Sequence, residues 1–103
     1  MPDNKQTFMT GSLTVSASGT AEQLDDYRVP QGHCVTLIAK PSDASGYIYV
    51  GESKAKAEAQ HIELAPGDSI VLYVDNVHDI WVDCSAQVTN TVGWIVESGN
   101  PDA

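Results

Sequence analysis

Ser69-Ile70-Val71-Leu72-Tyr73-Val74-Asp75-Asn76-Val77-His78-Asp79-Ile80-Trp81-Val82-Asp83-Cys84 decides the fold class. Ile70, Leu72 and Val74 alternate with Val71 and Tyr73, and Ile80, Val82 and Cys84 alternate with Trp81 and Asp83. A period of two sends successive side chains to opposite faces of a strand, so each run reads as a strand with one buried row. Asn76-Val77-His78 is the tight connection between them.

The same pattern extends outward in both directions. Leu13, Val15 and Ala17 alternate with Thr14 and Ser16, Ser18-Gly19 reads as a turn, and Thr20 to Leu24 as a short partner strand. Asp25 to Gly32 is a loop closed by Pro30 and Gly32. Cys34 to Lys40 is a strand with Val35, Leu37 and Ala39 inward, ended by Pro41 to Gly46. Tyr47 to Val50 follows and stops at Gly51; His61 to Leu64 precedes the Pro66-Gly67 turn, where both residues have a backbone reason to be. Gln87 to Thr91 is polar and turn-like, and Val92 to Glu97 is the last strand. Ser53 to Gln60 consists of helix formers but is too short for more than one helical turn. Eight short strands predict an all-β fold: a single-domain antiparallel β-sandwich, jelly-roll-like, over residues 11–97, with a flexible arm (1–10) and tail (98–103).

Composition bounds the function. The chain has 103 residues and is 42% hydrophobic, which makes one domain with enough chain for a core. Five Lys and Arg against fourteen Asp and Glu give a net charge of −9. Nucleic-acid binders gain affinity by replacing counterions with basic side chains, and anionic membranes also attract basic segments. Both partners are therefore excluded. The N-terminus lacks the basic start and apolar run of a secretory signal, and no window approaches the ~18 apolar residues of a membrane span. Folding in a cytoplasm is the expectation. Cys34 and Cys84 sit on opposite parities of their strands, which predicts two free thiols.

Candidate chemistry is thin. Asp75, Asn76, His78, Asp79 and Asp83 crowd one hairpin and supply oxygens of the kind calcium takes, but not at EF-hand spacing; a solvated acidic turn is expected. His33, His61 and His78 each stand alone beside a loop, unlike the paired histidines of a cupin metal site. No G-x-S-x-G elbow is present. Glu22, Glu58 and Glu63 could each be paired with an aspartate in a glycosidase-type arrangement, but any chain with fourteen acids contains such pairs. No Gly-rich loop feeds a helix that could hold phosphate. The expectation is no enzyme, no metal and no cofactor. Tyr47, Tyr49, Tyr73 and Trp81 are out of phase with the aliphatic rows and point away from the core. They either form a contact surface or lie across cross-strand neighbours. Trp94, in phase with Val92 and Val96, is expected in the core.

Several segments carry a resemblance. They are Val29-Pro30-Gln31-Gly32 leading into Val35-Thr36-Leu37-Ile38-Ala39, Tyr47-Ile48-Tyr49-Val50-Gly51, and Leu64-Ala65-Pro66-Gly67-Asp68-Ser69-Ile70. Val74 to Val82 and Trp94-Ile95-Val96-Glu97 complete the set. In this order, over residues 11–97, the chain resembles small β-sandwich virion proteins of tailed bacteriophages, which decorate the head or form a head-fibre base. The resemblance implies a non-enzymatic structural protein, made in the host cytoplasm and bound to the capsid exterior. Its implied partners are the major capsid protein and further copies of itself, as a trimer at a threefold axis. A charge of −9 agrees with an exterior position, since packaged DNA would repel it. Ser53 to Gln60 departs from the family pattern. Two other classes stand beside this reading. One is a carbohydrate- or host-surface-binding module offering Trp81 and the tyrosines as platforms beside Asp75, Asn76 and Asp79. The other is a metal-dependent enzyme on a cupin-like barrel.

Overall fold

The computed structural model describes residues 8–15, 18–40, 46–85 and 90–98. Its strands are β1 (Phe8–Val15), β2 (Glu22–Gln23), β3 (His33–Ala39), β4 (Ile48–Gly51), β5 (Ile62–Leu64), β6 (Ser69–Leu72), β7 (Trp81–Cys84) and β8 (Asn90–Ser98). One α-helix, α1 (Lys54–Glu58), follows β4, and a 3-10 turn spans Val77–Asp79. The strands form two four-stranded sheets, β1-β8-β3-β6 (sheet A) and β2-β7-β4-β5 (sheet B). First pairs with last, second with seventh, third with sixth and fourth with fifth, all antiparallel. This is one long hairpin rolled over so that β3 also pairs with β8 and β4 with β7, a jelly roll. The all-β sandwich expected from the alternation is the observed fold.

The inward rows meet between the sheets. Val35, Leu37, Val92, Trp94 and Val96 from sheet A pack against Ile48, Val50, Leu64, Val82 and Cys84 from sheet B. Trp94 lies against Tyr27 with ring centroids 6.2 Å apart. Its indole occupies the place a side chain at Gly11 would take, since a Cβ there would lie closer than 3.0 Å to the ring. Gly11 is thus the small partner of a large residue, needed for room and not for backbone freedom.

Several boundaries differ from those read in the sequence, among them β6, which ends at Leu72 and not Asp75, and β7, which begins at Trp81 and not Asp79. β1 begins at Phe8, so residues 8–10 belong to the sheet and not to an arm; Phe8, Met9 and Thr10 pair with Glu97, Val96 and Ile95. Asn90 and Thr91 are strand and not turn, because β1 extends to Val15 and pairs with β8 along its whole length, drawing a buried Asn90 into the ladder. β8 continues to Ser98, and Gly51 ends β4 from inside the ladder, opposite Trp81. Ala17, Pro41 to Ser45, Gln87 to Thr89, and the outer arm and tail lie outside the described residues.

The Ser53 to Gln60 segment forms its one turn of helix for local reasons. The Ser53 hydroxyl accepts from the Lys56 N–H at 3.2 Å and caps the N-terminus. Ala57 is fully buried, with its backbone over Gly51. Glu58 pairs with Lys54 one turn earlier and accepts the Ala21 N–H at 2.9 Å, tying the helix to the approach of β2. The Lys54 ammonium, then the Ala21 N–H, holds the Glu58 carboxyl below the usual carboxylate range. A carboxyl with a lowered folded pKa contributes stability above the unfolded value, about 4.3, and loses it as pH falls through the folded one. Glu58→Gln is therefore expected to lower Tm at neutral pH, with the gap to wild type closing in acid, as thermal unfolding across pH would show.

Candidate functional site

A sandwich has two outer faces, and the strand register assigns every outward side chain to one of them. On sheet B, Tyr49 sits between Asp83 and Glu63, and Trp81 between Gly51 and Gln23. Helix α1 packs against β4 and β7 on this side. Tyr49 is only 8% exposed. Burial, then the charges of Glu63 and neighbouring Tyr47 and Asp83, pushes its phenol up, against an opposing hydrogen bond from Ser85. Asp83 is fully buried. Its two oxygens accept the Gly19 N–H at 3.0 and 3.2 Å, and one also accepts the Cys84 N–H at 2.8 Å. That carboxylate anchors the turn after β1, where Gly19 has φ +85°.

Sheet A has a different exterior. Thr10, Ile95, Thr36 and Val71 form one row across it, Ser12, Gly93, Ile38 and Ser69 a second, and Phe8, Glu97 and Cys34 a third. Tyr73, just past the end of β6 and between the core-packed Leu72 and Val74, is 75% exposed; Phe8 is 56% exposed and Val71 49%. Glu97 is the one carboxylate in these three rows, on a chain of charge −9. Beside Tyr73, a shallow groove of about 430 Å³ is lined by Val29, Pro30, His33 and Asp75.

The four aromatics expected to form one surface are thus divided. Tyr49 is covered, Trp81 is half-buried, Tyr47 is exposed at the start of β4, and Tyr73 lies with the other sheet. Parity places each ring away from the core but does not say which sheet exterior receives it. The residues that do form an exposed apolar face, Phe8, Ile38, Val71 and Tyr73, carried a signal in the sequence. Ile38 and Val71 are aliphatics out of phase with inward rows, just as the tyrosines are.

Asn76 and Asp79, at the centre of the polar cluster, are consumed by their own turn. Asn76 Oδ1 accepts the N–H groups of His78 and Tyr27 at 2.9 and 3.0 Å, and its amide donates to Asp26 at 2.8 Å. Asp79 accepts the Asn76 N–H at 3.2 Å, completing a capping box. Asp83 serves the other turn. His33, His61 and His78 fall on β3, before β5 and in the 3-10 turn. Among the described residues no three His, Cys, Asp or Glu side chains gather as a metal would need.

Cys34 and Cys84 are both buried and neither is in a disulfide, one on the outer face of sheet A and one inside sheet B. Burial, then Glu97 opposite, pushes the Cys34 thiol up, which suppresses the reactive thiolate. Native protein should react slowly with a thiol reagent, while denaturant without reductant should release two equivalents. Fast labelling of the folded protein would contradict this placement.

No family model matches the chain. No curated protein matches it. Among solved structures, a Bacillus protein described under "endospore appendages form a novel family of disulfide-linked pili" aligns with 95% of this chain and 94% of its own. The two share 15% identity at a TM-score of 0.41, a likeness too distant to carry a functional argument.

Proposed function

We propose that the protein is a non-enzymatic structural component of a tailed-phage particle, bound to the capsid exterior through the outer face of sheet A. The observation that carries the reading is the composition of that face. Phe8, Ile38, Val71 and Tyr73 are exposed there amid threonines, with Glu97 the lone carboxylate in its rows, while the chain as a whole carries −9. Contact surfaces are marked by depletion of charge and enrichment of aromatic groups. The resemblance of residues 11–97 to small virion β-sandwiches names the major capsid protein as the partner. Purified particles test it by copy number. Hundreds of copies per particle fit decoration and a handful a fibre base, whereas absence from particles overturns the proposal. Val71→Asp, at an exposed position, should keep the fold and lose particle occupancy at least tenfold, roughly 1.4 kcal/mol.

A second reading, glycan binding, is favoured by the groove beside Tyr73, where an exposed ring meets Asp75 and His33. Asn76 and Asp79 are committed to the turn and are not available to it. Tyr73→Ala abolishing binding on a glycan array would favour this reading.

A further inference from the structure

Each of the two sheets has two edges, and the four edge strands are unlike one another. β2 has two residues, one of them Glu22; β5 has three, with Glu63 in the middle; β6 has four and is preceded by Asp68. These are short or charged, as protected edges are. β1 is the exception. It has eight residues, Phe8-Met9-Thr10-Gly11-Ser12-Leu13-Thr14-Val15, without a charge or a proline. It pairs on one side only, with β8, and the described residues place no strand on its other side. A long edge strand with no charged guard is a template for another strand.

We propose that β1 pairs antiparallel with β1 of a second copy of this chain, about a twofold axis through Gly11 or Ser12. The choice of a second copy rests on charge. Two molecules of −9 repel, so a symmetric contact is tolerable only where neither copy brings carboxylates, and β1 is an edge of that kind. The twofold also satisfies the pleat. An axis perpendicular to the sheet pairs outward residues with outward ones, so Thr10 faces Ser12 or Thr14, and Met9 faces Leu13 or Val15. No charge faces a charge in either register. The half-exposed Met9 gains an aliphatic partner. Sheet A becomes a continuous eight-stranded sheet, and its exposed outer face is doubled. The inference does not depend on the virion reading, and it replaces the threefold association that the family resemblance implies with a twofold one.

Sedimentation of the native full chain at tens of micromolar tests it. The expected species has twice the 11.0 kDa chain mass. Ser12→Asp and Ser69→Asp add the same charge to exposed positions on the same face, at the β1 and β6 edges respectively. Ser12→Asp should weaken the dimer at least tenfold and Ser69→Asp should leave it intact. A native monomer, a trimer, or equal effects of the two variants would overturn the proposal. Should Ser12→Asp fail to fold, hydrogen exchange of the native protein decides. Amides of residues 8–15 should gain protection as concentration rises, whereas protection independent of concentration would point to pairing within one chain and sink it.

Discussion

Trp94→Ala is expected to lose about 3–5 kcal/mol of folding free energy, a large part of the roughly 5–15 kcal/mol that holds a domain together. Trp94 is 4% exposed, lies between the sheets and contacts the ring of Tyr27. Removing it opens a cavity that rigid sheets on both sides cannot close. Among the described residues the indole Nε1–H finds no acceptor, so Trp94→Phe should cost far less: it loses volume but no hydrogen bond. Gly11→Ala checks the same packing from the other side. Its Cβ would crowd the indole closer than 3.0 Å, an overpacking worth about 1–3 kcal/mol in the wild-type background. In the Trp94→Ala background the methyl enters empty space and should cost almost nothing. Urea unfolding of the two single variants and the double variant measures this coupling. Additive losses would mean that the two residues do not share the site.

Gly51→Ala is the second large effect, and it acts through backbone. A Cβ at Gly51 would lie closer than 3.0 Å to backbone atoms of Lys56 and Ala57, so relief requires α1 to lift from β4. Side chains can rotate away from a clash, but a backbone cannot without moving its whole element. We expect a loss of about 1–3 kcal/mol, with a local signature that distinguishes it from general destabilisation. Lifting α1 also pulls Glu58 from the Ala21 N–H, so the amides of α1 and of Ala21 should lose hydrogen-exchange protection more than those of sheet A. A variant with unchanged stability and unchanged exchange in α1 would show that α1 does not rest on Gly51.

Self-pairing at β1 and capsid contact at the outer face of sheet A are compatible demands on one sheet. The first uses main-chain groups at an edge, and the second uses side chains on a face. A twofold pair would present two copies of the Phe8, Ile38, Val71 and Tyr73 surface side by side, and two linked sites raise occupancy without any new contact when the spacing fits. Val71→Asp separates them, because it charges the face and leaves the β1 edge as it is.

The alternation of Val35, Leu37 and Ala39, of Ile80, Val82 and Cys84, and of Val92, Trp94 and Val96 determined by itself that the chain is all-β and which residues form its core. Side-chain parity is a property of a single strand, so it needs no knowledge of neighbours. The tertiary structure alone decided where the outward residues went. Tyr49, Tyr73 and Trp81 have the same parity, yet β4 and β7 lie in sheet B and β6 in sheet A, and Tyr49 is buried while Tyr73 is exposed. Asp83 reads as one more acid of a solvated turn, but it meets Gly19 across 64 residues of sequence and is buried there. β1 became an exposed edge only because β8, at the far end of the chain, pairs with it on one side and with β3 on the other. Faces, covers and edges are relations between strands distant in sequence, and hydrogen-bond pairing between those strands is what sets them.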